Sequence, residues 1–183
     1  MISKNPSAKK KETVRIFFAL WPNTVIQKQF AHWAKTHEPV CGGRRVKTQN
    51  IHLTLAFLGD VTIDRLPELQ IAANKVTAKA FNLTIQETGY WKHPQIIYAQ
   101  AESYPTALLF LTESLRNELS KAKFVFDNKT FKPHVTLIRK AKCLAGTRLA
   151  KPIQWHAKEW RLIQSKQTNY GIDYIPLQRW FLE

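Results

Sequence analysis

The tetrapeptides His52-Leu53-Thr54-Leu55 and His134-Val135-Thr136-Leu137 repeat one pattern (His, aliphatic, Thr, Leu) 82 residues apart. Each lies in a short apolar, β-prone run, Ile51 to Leu58 and Pro133 to Arg139. Side chains in a strand alternate with a period of two, so His and Thr project from one face while the aliphatic residues enter the core. Each strand thus offers an imidazole and a hydroxyl together. The same offset carries the buried-strand pattern Val14 to Leu20 onto Ile96 to Glu102. It also carries the helical pattern opening at Pro22 and Asn23 onto the one marked by Leu108, Leu111, Leu115 and Leu119. The chain reads as two copies of strand, helix, strand, each ending in a His-bearing strand.

Between and beyond these units the punctuation is clear. A polar loop through Gly42, Gly43, Arg44 and Arg45 closes the first helix, and Gly59-Asp60 is expected to stop the second strand before a helix from Asp64 to about Lys79. Phe81, Leu83 and Ile85 alternate like a strand. After Arg139 a basic loop with Lys140, Lys142, Arg148 and Lys151 is expected, then strands at Glu159 to Ser165 and Tyr174 to Leu182. Residues 1–12 are polar and basic without apolar period and read as a mobile arm, leaving 13–183 as one catalytic domain.

The chain carries 28 Lys and Arg against 13 Asp and Glu, a net +15, which favours polyanions, nucleic acid first. Charge alone supports RNA binding only weakly, since Lys4, Lys9, Lys10 and Lys11 fall in one terminal run. Cys41 and Cys143 are isolated and no disulfide is indicated, so reduced thiols in a cytoplasmic protein are the default expectation; the protein is also expected to be a monomer. The run Ile16 to Trp21 is shorter than a signal-peptide core, and no stretch approaches the roughly 20 apolar residues of a spanning helix, so neither export nor membrane insertion is expected.

Two imidazoles and two hydroxyls facing one cleft suit phosphodiester chemistry. A base must activate water, an acid must protonate the leaving oxygen, and donors must hold the non-bridging oxygens. Imidazole titrates at about 6.5 and can serve as either. With 6 His and 15 Thr in the chain, chance gives roughly 0.5 His-x-Thr pairs; two with matched flanks at matched repeat positions are therefore informative. His32, His37, His93 and His156 lack the partner Thr and read as structural or surface residues. No Asp, Glu or Cys is grouped with His52 and His134 in sequence, so neither a metal nor a cofactor is expected.

Arg15 to Leu20 (RIFFAL), His52 to Gly59 (HLTLAFLG), Phe131 to Arg139 (FKPHVTLIR) and the closing residues Ser165, Gly171, Tyr174, Leu177 and Trp180 carry a resemblance over nearly the whole chain. It resembles the RNA 2′,3′-cyclic phosphodiesterases, also called 2′-5′ RNA ligases, of the two-histidine phosphoesterase superfamily. The resemblance implies a bilobal α+β fold with antiparallel sheets lining a central cleft and helices outside. It implies opening of a terminal RNA 2′,3′-cyclic phosphate to a 2′-phosphate, with His134 as base and His52 as acid. Thr54, Thr136 and Arg139 are then expected at the phosphate, and Phe57 and Phe18 near the nucleobase. Strict alternation would put Arg139 opposite His134, so a strand end or bulge must turn it inward. As a fixed charge, Arg139 is expected to set the rate without moving the pH limits. The rival readings are a 2′-5′ ligase or phosphodiesterase, and an RNA-binding module without turnover. The basic arm and Phe181, where the family often has proline, depart from the pattern.

Overall fold

The computed structural model describes residues 11–143, 147–169 and 171–183. Along the first half Thr13–Leu20 forms β1, Thr24–Cys41 α1, Arg44–Arg45 a short β2, Leu53–Thr62 β3, Leu66–Ala73 α2 and Phe81–Trp91 β4. The second half continues with Ile96–Gln100 as β5, Thr106–Lys121 as α3, Val135–Arg139 as β6, Arg148–Ala157 as β7, Glu159–Thr168 as β8 and Gly171–Phe181 as β9. Helices α1 and α3 open at Thr24 and Thr106, and strands β3 and β6 at Leu53 and Val135, so the 82-residue repeat is a repeat of structure.

All strand pairs are antiparallel, in the order β7-β4-β5-β6-β3-β1-β8-β9, with β2 on β6. The two halves of this network meet between β3 and β6 at the one pair Leu53↔Val135, immediately after the two histidines. The helices are exchanged between halves: α1, which follows β1, packs on β6 and β7, whereas α3, which follows β5, packs on β3. Each start has a local cause. The Asn23 side chain accepts the Ile26 N–H at 3.0 Å and caps α1. Pro105 precedes α3, where a missing N–H costs nothing. The stripe Leu108, Leu111, Leu115 and Leu119 is fully buried, each side chain contributing about 1.5–3 kcal/mol of burial.

Several expected boundaries move. Gly59 does not end β3; at φ +71 it supports a bulge against Ile16, and the strand runs on to Thr62. The helix expected to reach Lys79 stops at Ala73, because the backbone of Ala78 and Ala80 is taken up in extended pairing with Glu183. The basic loop after Arg139 is shorter than expected: Arg148 and Lys151 belong to edge strand β7, whose Leu149, Ile153, Trp155 and Ala157 point inward. Pro152 fits there because an edge strand need not donate on its free side. Residues 1–10 of the expected arm lie outside the described residues. Its last two residues are held, Lys11 by Asp64 at 2.7 Å and the Glu12 carbonyl by the Ile63 N–H at 3.0 Å.

The expectation of free thiols is corrected: Cys41 and Cys143 form a disulfide across a sequence separation of 102. It joins the end of α1 to the segment after β6, where the Lys142 N–H also donates to the Cys41 carbonyl at 2.8 Å. The bridge removes the support that free thiols lent to a cytoplasmic location. No helix among the described residues is long and apolar enough to cross a membrane.

Candidate active site

Both histidines stand one residue before their strands and are anchored alike. His52 Nδ1 lies 2.6 Å from the Asn50 carbonyl, and His134 Nδ1 lies 2.7 Å from the Lys132 carbonyl. A carbonyl only accepts, so Nδ1 carries the proton in each ring and Nε2 is left for chemistry. His52 Nε2 sits 3.2 Å from Thr54 Oγ1; with Nδ1–H fixed, the neutral ring accepts the Thr54 hydroxyl proton.

The antiparallel pair Leu53↔Val135 crosses the two motifs. His134 shares a cavity of about 710 Å³ with Thr54 and Phe57, further lined by Trp91, Lys129 and Lys132. His52 shares one of about 230 Å³ with Thr136 and Arg139, further lined by Arg44, Arg45 and Tyr174. Each motif's imidazole thus shares a cavity with the other motif's Thr, while His52 Nε2 also bonds Thr54 of its own motif.

One bulge, made twice, turns the remaining groups inward. On β3 the register skips Leu55, with Phe18↔Ala56 and Ala19↔Thr54; on β6 it skips Leu137, with Ile97↔Ile138 and Tyr98↔Thr136. Leu55 and Leu137 are again 82 apart. The extra residue restores parity, so Phe57 joins Thr54 and Arg139 joins Thr136 on the cleft face. Repeat-equivalent positions therefore carry an aromatic ring in one half and a guanidinium in the other. Gly43, at φ +89, lets β2 close on the strand end: a Cβ there would stand 2.6 Å from the Arg139 carbonyl oxygen.

Phe18 is corrected. It is fully buried on the opposite face of β1, against Trp160 and Trp180 at 5.5 and 5.8 Å, and reaches no cleft. Its neighbour Phe17 faces His52, with ring centroids 4.9 Å apart. The motifs also left out Trp21, stacked on His52 at 5.3 Å, and Tyr174, edge-on to it at 5.3 Å. Around His134 the missed residues are Trp91 at 4.5 Å and Tyr98 at 5.7 Å.

Burial pushes both imidazoles down, His52 to about 4, and the Arg139 guanidinium lowers each further. The carbonyl bonds to Nδ1 oppose this without cancelling it. Both rings are accordingly neutral in the free protein at neutral pH. Among the described residues no three His, Cys, Asp or Glu side chains gather as a metal cage.

Gly89 underlies the His134 side. It pairs with Tyr98 across β4 and β5, and a Cβ on it would overlap Cζ and Oη of Tyr98. Tyr98 in turn meets Trp91 at 4.3 Å. Gly89→Ala is expected to displace Tyr98 and loosen the wall of His134, lowering kcat by about 10–100-fold while the chain stays folded. Steady-state rates beside thermal melts check this; an unchanged kcat would detach the wall from catalysis.

Comparison with known proteins agrees with this geometry. Residues 20–98 match the model of the LigT-like phosphoesterase family. An Escherichia coli protein named RNA 2′,3′-cyclic phosphodiesterase is 33% identical over 173 residues, covering 93% of this chain and 98% of that protein. One of the same name from Thermus thermophilus is 25% identical over 181 residues, covering 92% and 90%. The crystal structure of E. coli LigT complexed with 3′-AMP superposes with a TM-score of 0.87 at 31% identity, covering 93% of this chain and 99% of that one. With a repeat-built cleft and a full-length relative at this identity, the chain belongs to the LigT-like phosphoesterase family.

Proposed function

We propose that the protein is an RNA 2′,3′-cyclic phosphodiesterase that opens the cyclic phosphate at an RNA end to a 2′-phosphate, using His52 and His134 as acid–base pair and no metal. The observation that carries this is the pairing of two Nδ1-anchored imidazoles at one strand junction, each lining a cavity that the Thr of the other motif also lines. One neutral ring takes the proton from water while the other, protonated, gives one to the departing 3′ oxygen. By the family likeness His134 is the base and His52 the acid. Thr54, Thr136 and Arg139 hold the phosphate oxygens, Arg139 with paired charge-assisted hydrogen bonds. Phe57 offers its ring to the base of the terminal nucleotide. The relatives' names, RNA 2′,3′-cyclic phosphodiesterase, support the substrate.

We further propose that the protein acts as a monomer in the cytoplasm, a reading that rests on the RNA substrate named for its relatives. Cavities lie on both the His52 and the His134 side, so an RNA 5′-hydroxyl has room to replace water, which favours 2′-5′ joining as a second reading. Incubation of an RNA ending in a cyclic phosphate, in chelator and with rising amounts of a 5′-hydroxyl RNA, separates the two. Hydrolysis is expected to dominate at low RNA concentration; dominant joining there would reverse the order.

Arg139→Ala is expected to slow turnover and also to move the pH profile, contrary to the sequence expectation. The guanidinium disfavours both imidazolium forms. Without it each ring holds its proton to higher pH, so both limbs of kcat/KM move upward. The limbs belong to the coupled pair. A slowed variant with unmoved limbs would place the charge on the phosphate alone.

A further inference from the structure

The two motifs are nearly identical, yet their histidines stand in different surroundings. Trp21 lies parallel to the His52 ring, at 4° and 5.3 Å, with Phe17 at 4.9 Å and Tyr174 edge-on at 5.3 Å. Tyr174 also meets Phe17 at 5.1 Å and Trp21 at 6.2 Å, so the three rings brace one another. Among the described residues His134 has two rings beside it, Trp91 and Tyr98, both edge-on, and neither stacks on its face.

We propose that Phe17, Trp21 and Tyr174 form a positioning wall that holds the half-buried His52 imidazole and screens it from water on their side, so that His52 takes up a proton only together with the substrate's phosphate. This rests on the phosphodiesterase reading of the cleft.

On the sides these rings cover, water that would solvate an imidazolium is displaced by ring carbon, and the charges nearby do not replace it. Arg139 from β6 and His134 oppose the charged form. Arg44 and Arg45 line the same cavity, and Arg161 from β8 stands 5.8 Å over the Trp21 ring. Lys47, also in that lining, has Asp173 at 3.5 Å, and burial raises the Tyr174 phenol so that it stays neutral. With its pKa pushed to about 4, roughly one ring in a thousand is protonated at neutral pH. The negative charge that can reverse this arrives with the substrate. As the phosphate enters, Nε2 takes a proton from solvent while Nδ1–H stays on the Asn50 carbonyl. Thr54 then ceases to donate to Nε2, and its hydroxyl is free to turn to a phosphate oxygen.

The test is an NMR titration of the His52 ring, in the full chain with labelled histidine, with and without inorganic phosphate as the probe. In the wild type the midpoint is expected near 4 in the free protein and at least one unit higher, a tenfold gain in proton affinity, with saturating phosphate. Trp21→Ala admits water and should raise the free midpoint by one unit or more, with Trp21→Phe returning it. Tyr174→Ala provides the same readout through the other ring should Trp21→Ala fail to fold. A midpoint that stays or falls in the folded Ala variant, or a wild-type midpoint indifferent to phosphate, overturns the proposal. Absence of cyclic-phosphate turnover would instead strike the functional reading and leave these midpoints as measured.

Discussion

Replacing His52 or His134 by Ala is expected to reduce turnover of a cyclic-phosphate RNA end by ~10²–10⁴-fold in each case. The two rings are anchored by the same bond to the carbonyl two residues earlier, and each lines a different cavity of the cleft. Each ring precedes its own strand of the adjacent β3–β6 pair, so the loss of one is not expected to be made good by the other. The double variant should fall little below the worse single one, since acid and base act as a unit. Rates on one RNA at a single pH and salt, with thermal melts to exclude unfolding, check this. A loss below tenfold in both single variants would end the acid–base assignment. It would favour the RNA-binding module, whose mark is salt-sensitive binding intact in both variants.

The second large effect is on stability. Cys41 and Cys143 close a loop with a sequence separation of 102, and the chain-entropy estimate for such a loop is about 4–5 kcal/mol. Cys143→Ser is therefore expected to lower Tm by roughly 10–20 °C for a chain of this size. Reductant should bring the wild type to the same value and leave the variant unchanged. Because the bridge fastens the segment following Arg139, kcat/KM should fall as well, well below the melting range. Equal melts for oxidised protein, reduced protein and variant would mean that the loop gains nothing from closure.

The two histidines of the proposed site were legible because their signal is local and doubled: His-x-Thr needs only a strand's period of two. Arg139 required more, since alternation puts it on the wrong face and only the skipped Leu137 brings it round. The same device at Leu55 explains Phe57. Phe17 and Phe18 were indistinguishable in sequence because the run Ile16 to Leu20 is buried on both faces and shows no alternation. Parity decides between them, and parity is set by pairing with β3. Trp21 and Tyr174 lie outside the His motifs and are joined to His52 only by the folded sheet. Strand β7 was hidden by Arg148, Lys151 and Pro152 on an exposed edge, although Ile153, Trp155 and Ala157 alternate within it. The disulfide had no sequence signature at all: its two halves are distant, and only the return of the chain after β6 to the end of α1 makes them neighbours.

If two histidines, one from each repeat, act as proposed, a cyclic phosphate opens to leave its phosphate on the 2′ oxygen without a metal. The most direct measurement is ³¹P NMR of an oligoribonucleotide with a 2′,3′-cyclic phosphate end, incubated with the protein in excess chelator. The cyclic phosphate signal is expected to give way to that of a 2′-phosphomonoester, with no 3′-phosphate formed. A persistent cyclic signal, or a 3′-phosphate product, would contradict it.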